Sequence, residues 1–152
     1  MALDLLAYRG AAMSHAQALG LFGQVLGHEP VSAPGPGLFY ALWVARISPL
    51  SAASGLREST GRLELTGRVL TLADSEPQDD VDVAVAGAVD ALLGAYSADF
   101  TLGGTVRNVD LLGAHGTPLS AQFGFSRFDS ATYRVATLTV PLIINDAWTQ
   151  GA

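Results

Sequence analysis

The residue types needed for hydrolytic catalysis occur close together in one stretch of the sequence. Asp110, His115 and Ser120 could supply an acid, a base and a nucleophile, and all three fall around one predicted hairpin. However, the chain has no Gly-x-Ser-x-Gly elbow, and three residues spaced five apart converge only where the turn folds back on itself. The sequence therefore favours a turn histidine flanked by polar strand residues.

Metal and cofactor sites have equally little support. His28, Glu29 and His115 with an acid from a loop could bind zinc or iron, but their spacing matches no known ligand pattern. His28 and Glu29 are better placed to end a helix. The chain has neither cysteine nor lysine, which excludes thiolate ligands, a Gly-Lys-Ser/Thr phosphate loop and Schiff-base chemistry. We expect no catalytic residue, no metal and no cofactor.

Four aromatic residues lie close together in the last third of the chain: Phe123, Phe125, Phe128 and Tyr133. They could stack on nucleic-acid bases, but two nearby cations, Arg127 and Arg134, are too few to hold phosphates. The net charge of −6 also argues against sequence-specific binding of DNA or RNA. The aromatic residues therefore favour packing in the core or in a protein interface.

Length and composition indicate one domain, residues 1–152, that buries part of its surface in contacts with other subunits. Charged residues make up only 14% of the chain and hydrophobic residues 49%, which favours a subunit that buries surface against partners. The longest apolar run, Leu38 to Ala45, is far shorter than the ~20 residues of a membrane-spanning helix. Asp4 stands where a signal peptide carries positive charge, so we expect no membrane association.

Two helices are predicted from apolar residues at helical spacing. The first covers Asp4 to Leu26, with Gly27 as its cap and Pro30 preventing continuation. The second follows an acidic segment and has one apolar face: Val85, Val89, Leu92 and Tyr96. Acids near a helix N-terminus each contribute about 0.3–1 kcal/mol through the helix dipole. Capping therefore accounts for the acids of this segment, which are Asp74, Glu76, Asp79, Asp80 and Asp82.

Five strands are predicted, at residues 38–47, 62–69, 105–112, 119–128 and 133–144. The apolar residues move from one set of alternate positions to the other near Gly67 to Leu70, which indicates a β-bulge. Short turns join the last three strands into an antiparallel meander, in which Pro141 places the final strand at an edge or a bulge. The predicted class is α+β, a mainly antiparallel sheet of about five strands packed against two helices. A long loop, Ser48 to Gly61, separates the first two strands.

Several segments follow one another along the chain: Gly20 to Pro30, Trp43 to Pro49 with Ser54 to Leu56, Leu102 to Gly113, and Tyr133 to Trp148. In this succession they resemble the tail terminator proteins of long-tailed bacteriophages, particularly those that infect actinobacteria. The resemblance covers nearly the whole chain, and its specificity lies in the order of the segments.

This resemblance implies a structural virion protein with no active site. Its subunits would form a homohexameric ring on the head-proximal end of the tail tube, after assembly in the host cytoplasm. The ring would stop addition of tail tube protein and present the docking surface for the head-completion (stopper) protein of the neck. DNA would pass through the ring without sequence-specific binding.

Two groups of charged residues are candidates for these tasks. We expect the Ser48 to Gly61 loop to reach the tube or the neighbouring subunit through Arg57, Glu58 and Arg62. Four acids either line the lumen, where they would repel DNA phosphates, or simply cap the second helix: Asp74, Glu76, Asp79 and Asp80.

Two other functions fit the same sequence. Another neck protein, a stopper or an adaptor, would also form rings and would bind the portal-side ring first. A small cytoplasmic enzyme or ligand-binding domain would instead be a monomer or dimer with a polar pocket around Asp110 and His115.

Overall fold

One sheet with two helices packed on it forms the molecule. In the computed structural model, residues 3–50, 58–74 and 77–149 are described. Along these ranges the elements are α1 (Leu5–Ala18), β1 (Gln24–Leu26), β2 (Phe39–Leu50), β3 (Glu58–Leu72), α2 (Asp79–Ala98), β4 (Asn108–Val109), β5 (Ser120–Phe128) and β6 (Ala131–Thr149). The predicted α+β class is confirmed.

The strand order is β1-β2-β3-β6, with β4 and β5 both on the outer side of β6. β1 pairs with β2 in parallel, and every other pair among the described strands is antiparallel. β5 pairs with the first half of β6, and β4 pairs farther along at Leu142 and Ile143. The predicted β5–β6 hairpin is confirmed, but the three-stranded meander is wrong, because β4 and β5 lie end to end along β6.

Pro141 lies where β5 has ended and β4 has not yet begun. β5 pairs with β6 as far as Thr139, and β4 begins at Leu142. The Pro141 carbonyl accepts the N–H of Asp110 at 2.9 Å, so the missing proline N–H faces the same side, into the interval between the two strands. The expected edge position is wrong, since β3 covers the other side of β6.

The loop between the first two long strands is shorter than predicted. Ser48 and Leu50 pair with Arg62 and Thr60, so β2 and β3 both extend into the segment expected to be a loop. Residues 51–57 lie outside the described ranges. The pairing was hidden from the sequence because small and polar residues at the end of a hairpin take strand conformation only when a partner strand is beside them.

The predicted bulge near Gly67 to Leu70 is also wrong. The register is continuous there and shifts instead between Val44 and Arg46 and between Ser59 and Gly61. The alternation of apolar and polar residues breaks there because β3 is buried on both faces at that end. Val69 is buried on one face of the sheet and Leu70 on the other.

The first helix ends much earlier than predicted. It stops at Ala18, and Gly20 follows with a left-handed φ of 68°. Gln24 to Leu26, expected to be helical, form β1 against β2, so Gly27 caps no helix. His28 and Glu29 accordingly follow a strand rather than ending a helix. Tertiary pairing with β2 overrides the helical spacing of these residues.

The second helix agrees with its prediction. Its buried residues include all four of the expected apolar face: Val85, Val89, Leu92 and Tyr96. At 20 residues and a mean hydropathy of 1.4, α2 is the one described helix long and apolar enough to span a membrane. Its apolar face packs against β3 and β6, which accounts for its composition.

The face of the sheet on which α1 and α2 pack is called the covered face, and it holds the main core. The strands contribute alternate residues to it: Tyr40, Leu42, Leu63, Leu65, Val69, Ala136, Leu138, Val140 and Leu142. The opposite face, called the second face, has a smaller cluster at one end: Phe39, Leu70, Tyr133 and Val135. The core is thus asymmetric, with one helix-packed face and one partly open face.

A buried hydrogen-bonded chain ties α1, α2 and β2 together. The Tyr96 hydroxyl of α2 donates to the Ala12 carbonyl of α1 at 3.0 Å, so the Tyr40 hydroxyl of β2 must donate to Tyr96, 3.1 Å away. Burial raises the pKa of both hydroxyls well above the ordinary value, so both stay neutral. Tyr40 lies across Gly67, where a Cβ would be 2.5 Å from the hydroxyl oxygen.

We therefore expect Gly67→Ala to lower the free energy of unfolding by about 1–3 kcal/mol, because the added methyl displaces Tyr40 from its buried hydrogen bond. Gly87→Ala is the matched control, since a Cβ there meets nothing within 4 Å on α2. It should raise the free energy of unfolding by about 0.5–1 kcal/mol. Urea unfolding followed by circular dichroism measures both, and a Gly67→Ala protein of normal stability would contradict the packing argument.

Candidate functional site

A buried ion pair joins β3 to the segment after β4. The Arg62 Nη1 donates to Asp110 Oδ2 at 2.8 Å, and the Arg62 Nη2 donates to the Thr117 carbonyl. The backbone N–H groups of Ala114 and His115 donate to the same carboxylate at 2.8 and 2.9 Å. Arg62 and Asp110 are 4% and 3% exposed, so the cluster fixes the turn at 113–117 onto the second face of the sheet.

The charge of Asp110 is stabilised by this geometry. Burial raises the pKa of Asp110, but the N–H groups of His115 and Ala114 and the guanidinium of Arg62 together lower it by more. The net pKa lies below the ordinary value of 3.8, so the carboxylate stays ionised at neutral pH. A carboxylate with three donors is an anchor rather than a proton acceptor.

The geometry does not form the triad that the sequence suggested. His115 meets Asp110 through its backbone N–H, not through its imidazole. The Ser120 hydroxyl donates to the Pro118 carbonyl at 3.0 Å. Acid, base and nucleophile therefore do not form a relay, because the turn that brings them near uses backbone groups for its contacts.

A polar depression of about 320 Å³ lies beside this cluster and includes Arg46, Glu64 and His115. This is where the enzyme alternative expected its pocket, but Asp110 is occupied by its three donors. Among the described residues, no three His, Asp or Glu side chains are grouped so that they could share a metal ion. His28 and Glu29, both exposed, are thus not brought together with His115 as a ligand set.

The three residues expected at the tube or subunit interface have different positions. Arg57 lies outside the described residues, and Glu58 begins β3. The neighbouring Asp146 raises the pKa of Glu58 by hydrogen bonding and by its negative charge. Arg62 is buried in the ion pair with Asp110, so any part that it has in an interface acts through the turn that it holds.

The acids expected at the lumen or at the helix cap lie near the start of α2. Asp79 and Asp80 are exposed in its first turn and Asp74 is exposed before it, while Glu76 lies outside the described residues. The N-cap residue Gln78 makes no side-chain capping hydrogen bond. The first-turn position of Asp79 and Asp80 fits stabilisation by the helix dipole, and the choice between helix capping and a lumen position for the acids stays a prediction.

The sheet has two outer edges within the described part of the chain. β1 covers β2 only from Phe39 to Ala41, and no described strand pairs with the outer side of β2 from Leu42 to Pro49. At the other end, β5 pairs with β6 alone. Both strands therefore present backbone N–H and C=O groups along an unpaired side.

Each edge also exposes two large apolar side chains. Val44 and Ile47 of β2 are 38% and 44% exposed, and Phe123 and Phe125 of β5 are 45% and 67% exposed. The register puts all four on the covered face, since their partners are Leu65, Leu63, Ala136 and Arg134. These edges, with their apolar residues, are the candidate functional site.

A cation anchors the β5 edge. The Arg134 guanidinium lies 5.7 and 4.8 Å from the ring centroids of Phe123 and Phe125. It also donates to Asp82 of α2 and to the Gly124 carbonyl of β5. A cleft of about 450 Å³ opens between these residues and α2. Arg134 thus holds both rings in place and ties the edge to the helix layer.

Strand alternation divides the aromatic cluster found in the sequence. Phe128 packs edge-on against the buried Tyr133 with ring centroids 5.4 Å apart, whereas Phe123 and Phe125 remain exposed on the other face. Core packing is thus confirmed for the first pair. The sequence did not point to Val44 and Ile47, because only the sheet topology shows that β2 is an edge strand there.

No protein-family model matches this chain, and no curated protein matches it. Among solved structures, the chain is similar to one in a particle titled "Virion of native gene transfer agent (GTA) particle". The identity is 14%, the TM-score is 0.39, and the match covers 90% of this chain and 93% of that chain.

Replacing Asp110 tests the anchor. We expect Asp110→Asn to lower the free energy of unfolding by about 3 kcal/mol at neutral pH, because Arg62 loses its closest buried counterion and keeps only Glu64, whose Oε2 lies 3.7 Å from the Arg62 Nε. Asp90→Asn, at an exposed position of α2, is the control and should change it by less than about 0.5 kcal/mol.

The same pair of variants tests the pKa of Asp110. Because the native pKa is lowered, the stabilisation by Asp110 is complete above its ordinary value and is lost as the pH falls through the native value. The stability difference between the wild type and Asp110→Asn should therefore shrink in acid. A difference that stays constant to pH 2 or below would contradict this assignment.

Proposed function

We propose that this protein is a phage tail terminator, a non-enzymatic virion protein that forms a hexameric ring on the head-proximal end of the tail tube. The resemblance of successive sequence segments to that family supports the proposal, and so does the distribution of apolar surface. The absence of a catalytic relay around Asp110 is compatible with a protein that works by assembly.

The observation that carries the proposal is the pair of apolar edges at opposite ends of one sheet. A closed ring repeats one heterologous contact, so each subunit needs two different surfaces that fit each other. The β2 edge with Val44 and Ile47 and the β5 edge with Phe123 and Phe125 are two such surfaces. A monomer that exposed both would be prone to uncontrolled association, which a closed ring prevents.

In this proposal, the two ends of the ring have different tasks. One end fits the last ring of tail tube protein, and the other presents the docking surface for the head-completion protein. The end of the β2–β3 hairpin, with Arg57 and Glu58, contacts the tube or the neighbouring subunit. The acids near α2, including Asp79 and Asp80, face the DNA path and repel phosphates without binding a sequence.

We expect a hexamer in solution or on tails. Six copies of the 15.7 kDa chain give a mass of about 94 kDa by light scattering. Electron microscopy of isolated tails incubated with the protein should show a ring at the end that joins the head. Binding to DNA-filled heads in preference to tails would instead assign the protein as a stopper or an adaptor. A monomer that binds neither would contradict the proposal.

Deletion of Ala52 to Glu58 tests the hairpin end. We expect the variant to fold, because the β2–β3 pairing outside the deletion is kept, and to lose at least tenfold in tail attachment, in line with the loss of a central contact. His115→Ala is the control, since its side chain lies in the polar depression on the second face and should leave attachment unchanged. Unchanged attachment in the deletion variant would remove this segment from the interface.

A further inference from the structure

We propose that neighbouring copies of this chain join by strand pairing: the outer side of β5 in one copy pairs antiparallel with the outer side of β2, from Leu42 to Pro49, in the next. This inference rests on the proposed ring and names the contact that closes it. The occupant of each free edge is thus a second copy of the same chain.

The strand directions allow this junction. β2 and β3 are antiparallel, β3 and β6 are antiparallel, and β5 is antiparallel to β6. β5 therefore runs opposite to β2 within one subunit. A rotation that carries the sheet around a ring preserves strand direction, so β5 meets the next β2 as an antiparallel pair.

The side chains match across the same junction. Val44 and Ile47 lie on the covered face of one edge, and Phe123 and Phe125 lie on the covered face of the other. When the helices of all copies lie on the same side of the joined sheets, the four residues come together on the covered face beside the junction. Aromatic and β-branched residues are favourable cross-strand pairs, and here they would cover surface that the single chain leaves exposed.

Charge favours this junction over two-fold contacts. Arg46 is exposed on β2 and, as the partner of Glu64, lies on the second face. Arg127 is exposed on β5 and, as the partner of Thr132, lies on the covered face. A β2–β2 or β5–β5 contact would bring two like charges to one face of the junction, whereas a β5–β2 contact keeps the arginines on opposite faces.

Features of β2 restrict the pairing to one register. The strand has a register shift between Val44 and Arg46, and Pro49 has no N–H to donate. Such irregularities prevent a long, indiscriminate ladder at an edge, and a bulge fixes which residues can face a partner strand. The edge is therefore suited to one specific strand rather than to open-ended association.

Cysteine cross-linking tests the junction directly, because the chain has no cysteine of its own. The variants are Val44→Cys, Phe123→Cys and Phe125→Cys in the full chain, each checked for wild-type thermal unfolding. A short bis-maleimide joins thiols on adjacent strands, whose directly opposite and diagonal Cβ atoms lie within about 8 Å. The control combines Val44→Cys with Val83→Cys, an exposed position on α2 and outside both edge strands.

We expect a mixture of Val44→Cys with at least one of the two phenylalanine variants to give about tenfold more cross-linked dimer than the Val44/Val83 mixture. The corresponding double variant in one chain should give a ladder of products up to the hexamer. Each single variant alone should give no dimer, because a heterologous junction never places a residue beside its own copy.

Three outcomes would overturn the inference. Dimers from Phe123→Cys or Phe125→Cys alone would indicate a two-fold β5–β5 contact. Rings of the expected mass without cross-links from either mixture would leave the proposed function standing and remove this junction. A chain that stays monomeric in solution and on tails, without cross-links, would overturn both.

A second variant removes dependence on thiol geometry. Ile47→Lys places a charge on the β2 edge, which is a natural way to block strand pairing, and should shift the light-scattering mass from the ring to the monomer. Val83→Lys, at a residue 71% exposed on α2, is the control and should leave the ring intact. Rings of normal mass from Ile47→Lys would contradict the junction.

Discussion

Backbone pairing between β3 and β6 is the interaction on which the rest of the structure depends. The two strands pair from Glu58 with Thr149 to Leu72 with Tyr133, and every other strand attaches directly or through β2 to this pair. Helix α2 contacts the same two strands, and α1 contacts α2, β1 and β2. Because the sheet does not close on itself within the described chain, the pairing that builds the core also leaves two edges, at β2 and at β5. Those edges are the physical basis of the proposed ring.

The buried ion pair of Arg62 and Asp110 has a supporting part in this arrangement. β4 is only two residues long and could not hold the following turn by strand pairing alone. The Asp110 carboxylate substitutes for a longer strand, since it binds two backbone N–H groups of the turn and the guanidinium from β3. Arg62 and Asp110, which are charged and buried, thus have a structural role. The exposed surface that best fits a function is the apolar surface of the β2 and β5 edges.

The local sequence pattern was sufficient to predict those elements whose structure depends on residues close in sequence. The apolar face of α2 and the β5–β6 hairpin were predicted from spacing and turn length, because both depend on neighbours in sequence. The prediction failed where a distant partner decides. Gln24 to Leu26 have helical spacing but pair with β2, and Ser48 to Leu50 have loop composition but pair with β3. Pro141 is compatible with a central strand only because β4 and β5 leave an interval there.

The sequence by itself determined the α+β class, the excess of hydrophobic over charged residues, and the lack of cysteine and lysine chemistry, since these follow from composition and from periods of two and 3.6 residues. Only the tertiary structure decided which strands are edges and on which face Val44, Ile47, Phe123 and Phe125 lie. The reason is that an edge is defined by the partner that a strand lacks. No property of the strand's own residues reports whether the chain supplies a neighbour elsewhere.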